Sequence, residues 1–164
     1  MTALIQAHVT RKRITWILVM SFFLYIAIEK ITVVFTDSVN ATILWHSKAA
    51  LKQWDFANYQ LTERKLPEEL KKYAKNGFIT VTKRVGCIEG QRLENRDLHF
   101  ICDGIFIAKA KTVSIKGTTL TPFEFNGVVP KNKVFLIGDH PDSFDSRYWG
   151  FAEKSDLVRG IRLI

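Results

Sequence analysis

Arg11-Lys12-Arg13 stands directly before an apolar stretch, Ile14 to Ile28, whose polar content is limited to Thr15, Ser21 and the tip of Tyr25. No other feature narrows the fold as much, because side chains of this kind must be buried in protein or placed in lipid. Glu29 and Lys30 follow, and then Ile31-Thr32-Val33-Val34-Phe35. Read through to Phe35, the run reaches the roughly 20 residues that a membrane crossing needs. The Glu29-Lys30 pair lies near one end, where long side chains reach the interface. A single transmembrane helix is therefore expected over 14–36. A basic cluster ahead of a span stays in the cytoplasm, so residues 1–13 are expected inside and 37–164 outside. No Ala-x-Ala site follows the apolar run, which argues against a removable signal.

A helical pattern recurs once. Leu66 to Gly77 has Pro67 in its first turn, acids early, bases late and a glycine after the end, so one short inserted helix is expected there, with Leu66, Leu70 and Tyr73 on one face. Everything after Asn76 reads as strand. Phe78 to Gly86 alternates. Asp103-Gly104 between two apolar runs, 97–102 and 105–108, is a strong hairpin cue. Short strands are expected at 112–115 and 123–125, another at Val134–Ile137, and a closing one at 157–164. The fold class expected is mainly β: the anchor followed by a small antiparallel domain, twisted or barrel-like.

The formal charge is +8, but the positive residues are spread from Arg11 to Arg162 with no arginine-rich run, so no nucleic-acid partner is expected. An anionic membrane surface fits the same charge. Cys87 and Cys102 are too few for a tetrahedral zinc site, and neither metal nor cofactor is expected. Two readings of the cysteines stay open: one disulfide, if the domain lies outside the cytoplasm, or two small buried apolar side chains.

Polar side chains crowd one place. Val134-Phe135-Leu136-Ile137 runs into Gly138-Asp139-His140-Pro141-Asp142-Ser143-Phe144-Asp145-Ser146-Arg147-Tyr148-Trp149-Gly150. By charge alone this is a solvated loop, with Asp145 and Arg147 an exposed pair worth ~0 to 1 kcal/mol. The order of residues resembles the C-terminal box of the type I signal peptidases, the Ser/Lys peptidases of the S26 family. Lys83-Arg84-Val85, with Gly86 and Gly90, resembles the box that supplies that family's general base, although it closes on Gly90-Gln91 where the family has Gly-Asp. Thr36-Asp37-Ser38, followed by an apolar stretch to Trp45, is similar to the Thr-x-Ser of the TraF-type peptidases of conjugation systems. Ser47 is the next candidate nucleophile.

The resemblance implies a division of labour. Ser38 would attack the peptide carbonyl and Lys83 would take its proton. A free lysine titrates near 10.4, so Lys83 would have to be buried among apolar neighbours. Ser143 would orient Lys83. Asp145 would organise the site by pairing Arg84 or Arg147, without a direct ion pair to Lys83. Thr36 would join the Ser38 N–H in an oxyanion hole. A rival Ser/His/Asp arrangement through His140 and Asp145 is awkward, since both sit in one loop.

The partners implied are a pilin precursor or another exported preprotein, inner-membrane lipid and other proteins of a conjugation channel. Two alternatives remain beside pilin trimming and cyclisation: a general signal peptidase, and an inactive membrane-anchored scaffold that keeps the fold.

Overall fold

The structure, a computed structural model, describes residues 2–164, with side chains from Lys12 onward. Helix α1 (Thr2–Ile28) is apolar all round in its second half, and Trp16, Phe22, Phe23 and Tyr25 are each more than 60% exposed. Among the described residues no helix is long and apolar enough to cross a membrane. The span expected over 14–36 is not one helix. It stops at Ile28; Lys30 turns back onto the Ala27 carbonyl, and Ile31–Val33 becomes strand β1. The β-branched run Ile31-Thr32-Val33-Val34 favours extended backbone, and β1 gains a full partner in β2 (Ile43–Ser47). The apolar helical part, 14–28, is about 22 Å long at 1.5 Å per residue, short of a hydrocarbon layer of about 30 Å.

The remaining chain is antiparallel sheet. One sheet has seven strands in the order β1-β2-β11-β3-β4-β9-β10, where β3 is Phe56–Thr62, β4 Phe78–Ile88, β9 Lys133–Ile137, β10 Ala152–Glu153 and β11 Val158–Arg162. The other has four, β7-β6-β5-β8, with β5 Arg92–Arg96, β6 His99–Cys102, β7 Ile105–Lys109 and β8 Asn126–Val128. Asp103 and Gly104 both take positive φ (48° and 79°), as a two-residue hairpin turn requires. Asp97-Leu98 makes the same turn between β5 and β6, at φ of 49° and 70°. A leucine there gives no sequence cue.

Three expected elements differ. The helix over 66–77 shrinks to one turn, α2 (Glu68–Lys71), because only Leu66 is buried and so short an apolar face cannot offset nucleation. The chain reverses through Asn76-Gly77, and Tyr73 points outward, 62% exposed. Residues 112–115 are not a strand. Ser114 Oγ accepts from the Lys116 and Thr118 amides and closes a turn, leaving one bridge, Val113 to Thr119. Phe123 and Phe125 form no strand either. Their rings pack on Phe151, and Phe123 also on Phe135, while β8 begins after them. A further single turn, α3 (Ser146–Trp149), lies in the loop after β9.

Two large cores result. One lies between the sheets around Leu93, Phe100, Phe135 and Ile137. There Cys87 of β4 and Cys102 of β6 form a buried disulfide, Cα atoms 5.8 Å apart, which selects the first of the two cysteine readings and staples one sheet to the other. The second core, around Tyr59, Leu61, Val85 and Leu136, backs the other face of β3, β4 and β9. A smaller cluster of Val39, Ala41, Leu44 and Phe56 holds residues 39–41 against the sheet, and this fixes the segment that carries Ser38.

Candidate active site

Strand β4 pairs with β3 along 78–84, but with β9 only from Arg84 onward, so among the described residues its β9-side edge is open over 79–83, Phe78 being bridged to Lys75. Lys83 ends that open stretch and is 4% exposed. Its Nζ donates to Ser143 Oγ at 2.6 Å. Burial lowers its pKa from the ordinary 10.5 to about 8; the Asp145 and Asp139 charges pull upward and the Arg147 charge pushes down, and burial wins. No carboxylate hydrogen-bonds the ammonium among the described residues.

The loop after β9 supplies Ser143, and Gly138 lets it approach. A methyl group added at Gly138 would lie 2.1 Å from Ser143 Oγ and 2.8 Å from the Ser38 carbonyl oxygen, so only glycine allows these segments to meet. Asp139 binds them together. Its N–H donates to the Ser38 carbonyl at 2.7 Å, while its carboxylate accepts from the Asn40 N–H at 2.7 Å and from Arg84 Nε at 2.6 Å. Arg84 also stacks on Phe56, 4.1 Å from the ring centre.

Asp145 caps α3 and accepts from the Gly138 N–H at 2.7 Å, the Arg147 N–H at 3.1 Å, and Arg147 Nε and Nη2 at 2.8 Å each. The remaining Arg147 donors reach the carbonyls of Lys109, Pro141, His140 and Ser143. Both side chains are buried, at 0% and 2% exposure. The reading from charge alone, an exposed pair, does not hold. A buried ion pair holds only when its donors and acceptors are satisfied, and here it braces the loop that orients Ser143. Of the two partners considered for Asp145, Arg147 takes the place, and Arg84 goes to Asp139.

Ser38 lines the same cleft as Lys83, with each side chain hydrogen-bonded to a different hydroxyl. Its Oγ lies 2.8 Å from Thr36 Oγ1, within hydrogen-bond reach. Thr36, Ser38, Lys83 and Ser143 all line one cleft of about 1000 Å³, whose apolar walls include Val33, Leu61, Ile79, Val81 and Phe144. Ser47 lies elsewhere, on β2, with its hydroxyl on the Ala49 N–H. His140 does not form a triad. Its Nδ1 accepts from the Asp142 N–H at 3.2 Å, and the Asp145 carboxylate is taken by Arg147 and Gly138. Gln91, which stands where an Asp is expected, accepts from the Ile88 N–H and donates to Asp103. The link from Asp139 to Ser38 and Arg84 was not foreseen, and its one signal is the place of Asp139 after an obligatory glycine. A cleft with a hydroxyl on one wall and a buried, easily deprotonated amine on the other is suited to nucleophilic attack on a carbonyl.

The sequence matches the family described as "Signal peptidase, peptidase S26" over residues 7–164. It is 31% identical over 120 residues to a signal peptidase I of Buchnera aphidicola (Schizaphis graminum), covering 73% of this chain and 35% of that protein. It is 37% identical over 84 residues to the conjugal transfer protein TraF of Agrobacterium fabrum, covering 49% of this chain and 46% of that one. The chain thus spans less than half the length of either relative. A signal peptidase I structure from Enterococcus faecalis aligns with 66% of this chain and 96% of its own, at 22% identity and a TM-score of 0.38.

Proposed function

The chain belongs to the signal peptidase family, peptidase S26, and on that premise we propose that it is a membrane-anchored endopeptidase with a Ser38/Lys83 dyad. The observation that carries the proposal is Lys83: buried, hydrogen-bonded to Ser143, free of a carboxylate contact and sharing a cleft with Ser38. With a pKa of about 8, the neutral amine is populated near neutral pH. It accepts the Ser38 proton as Oγ attacks the scissile carbonyl, and the resulting ammonium then protonates the departing amine. The Ser38 N–H and the Thr36 hydroxyl stabilise the oxyanion. An extended substrate adds to the open edge of β4 over 79–83, past the Lys75 bridge at Phe78.

The exposed apolar side chains of helix 14–28 support contact with the bacterial inner membrane, with the β domain on its periplasmic side; crossing would need apolar residues beyond the helix, such as Ile31 to Phe35, to leave the sheet. The Cys87–Cys102 bond supports the periplasmic side, since such bonds persist in oxidising compartments.

Similarity to a conjugal transfer protein and the Thr36-Asp37-Ser38 order favour a pilin precursor as substrate, trimmed and then released as a linear chain or closed by its own amine. The signal peptidase I relative supports the second reading, general processing of exported preproteins. An inert scaffold finds no support in a site that keeps a costly buried lysine. The test is the intact mass of a co-expressed pilin precursor with wild type and with Ser38→Ala. Trimming by wild type alone supports the dyad, and a product lighter than the linear chain by one water adds cyclisation. Equal products from both proteins would overturn the assignment of Ser38.

A further inference from the structure

Thr82 Oγ1 donates to Asn58 Oδ1 at 2.8 Å, and Asn58 Nδ2 donates to Thr32 Oγ1 at 2.9 Å. Thr32 Oγ1 in turn lies 2.7 Å from His46 Nε2, which is also 3.3 Å from Asn58 Nδ2. One assignment satisfies all of these contacts: the amide hydrogens of Asn58 point at Thr32 and His46, and the Thr32 hydroxyl hydrogen points at His46 Nε2, which is then a shared acceptor. Asn58 is 6% exposed and Thr82 8%.

Where the seam lies gives it meaning. Thr32 and Thr82 both line the catalytic cleft, and Asn58 sits behind them. Thr32 belongs to β1, which leads within six residues to Ser38, and Thr82 precedes Lys83 in β4. In the sheet, β1 and β4 are separated by β2, β11 and β3. One side chain therefore ties together two strands that backbone pairing leaves apart. Strand β1 has β2 alone beside it in the sheet; Asp139 and the Val39 cluster hold the segment at and beyond Ser38, and Asn58 holds its β1 end.

We propose that Asn58 is a positioning residue: its amide sets the width of the cleft between β1 and β4, and so the placement of the Ser38 segment against Lys83, with His46 as the outer acceptor that orients Thr32. This rests on the dyad reading for its catalytic consequence, but not for its structural one. The seam is polar and satisfied in all its members, the condition under which a buried network specifies one geometry.

The test uses the full chain in detergent with Asn58→Ala and the near-isosteric Thr32→Val, which removes one link if the first variant folds poorly. Val129→Ala, a truncation in the core between the sheets, is the control for general destabilisation. Hydrogen exchange of the amides of residues 32–38 is read well below the melting temperature. Exchange there about tenfold faster in either seam variant than in the control, the effect of one lost net hydrogen bond, supports the proposal. Exchange equal to the control overturns it. If the wild type also cleaves a preprotein, kcat should fall in the seam variants about tenfold more than in the control. If it cleaves nothing, the dyad reading fails while the exchange result still decides the role of Asn58.

Discussion

Replacing Lys83 by methionine should make the protein more stable while destroying its proposed activity. Lys83 is 4% exposed and its pKa is lowered from 10.5 to about 8, with burial the largest cause. The folded state therefore binds its proton less tightly than the unfolded chain does, and stability rises with pH between the two values. Below about pH 8 the penalty is fully present, about 3 kcal/mol from the roughly 1.4 kcal/mol that each pK step represents. Methionine fills a similar volume without charge and removes this penalty. It also leaves the Ser143 hydroxyl without its 2.6 Å donor, a loss of about 1 kcal/mol. The net expectation at pH 7 is a gain of about 2 kcal/mol, or roughly 4 to 8 °C in Tm for a chain of this size. At pH 10 the penalty has shrunk to about 1 kcal/mol, so the gain should vanish. Urea unfolding of wild type and Lys83→Met in detergent at pH 7 and pH 10 measures both. A methionine variant less stable than wild type at pH 7, or one whose difference does not change with pH, would refute the reasoning.

Gly138→Ala drives a methyl group into Ser143 and the Ser38 carbonyl; a loss of about 3 kcal/mol is expected by denaturant titration, with proposed cleavage abolished in whatever remains folded. Thr36→Val should lower kcat roughly 100- to 1000-fold with little change in KM, as removal of an oxyanion donor does; a change under about threefold would take Thr36 out of the oxyanion hole. Changing Cys87 and Cys102 together to alanine opens a closure across 15 residues and should remove about 3 kcal/mol. The same loss should follow from reduction of wild type with dithiothreitol, and the double variant should no longer respond to the reductant.

The candidate site was legible where chemistry is compressed into short segments. Lys83, Ser143 and Asp145 lie in two runs whose resemblance to the S26 boxes implied that Ser143 meets Lys83 and that Asp145 pairs Arg84 or Arg147, and the structure brings Lys83 to Ser143 and Asp145 to Arg147. The Asp103-Gly104 hairpin was equally plain, because two consecutive positive φ angles demand such residues. What was hidden depends on long-range pairing. Ile31-Thr32-Val33 continues an apolar run in one dimension, and nothing local says that Ile43–Ser47 will claim it as a strand partner. The Leu66–Gly77 segment carries every end signal of a helix, yet lacks the apolar surface to hold more than one turn. Asn58, His46 and the two threonines look like ordinary strand residues, since their meaning arises only when the sheet curls. The Leu98 turn, with a leucine at positive φ, has no local signature at all.

The handover from α1 to β1 leaves no slack. Helix end and sheet edge are separated by Glu29 and Lys30 alone; the Lys30 N–H is tied to Ala27, and the Lys30 carbonyl accepts from the His46 N–H at 2.7 Å. From Ile31 to Ser38 the chain can reach no more than about 25 Å. The hydroxyl of Ser38 is thus held at a set height above the end of the helix, as on a ruler. If the helix rests in a bilayer and Ser38 is the nucleophile proposed above, a bond would be presented to it within one narrow range of depth, and selection among sites would follow from geometry before any side chain is read. Lengthening the 29–30 link would move that mark without touching a single residue of the cleft.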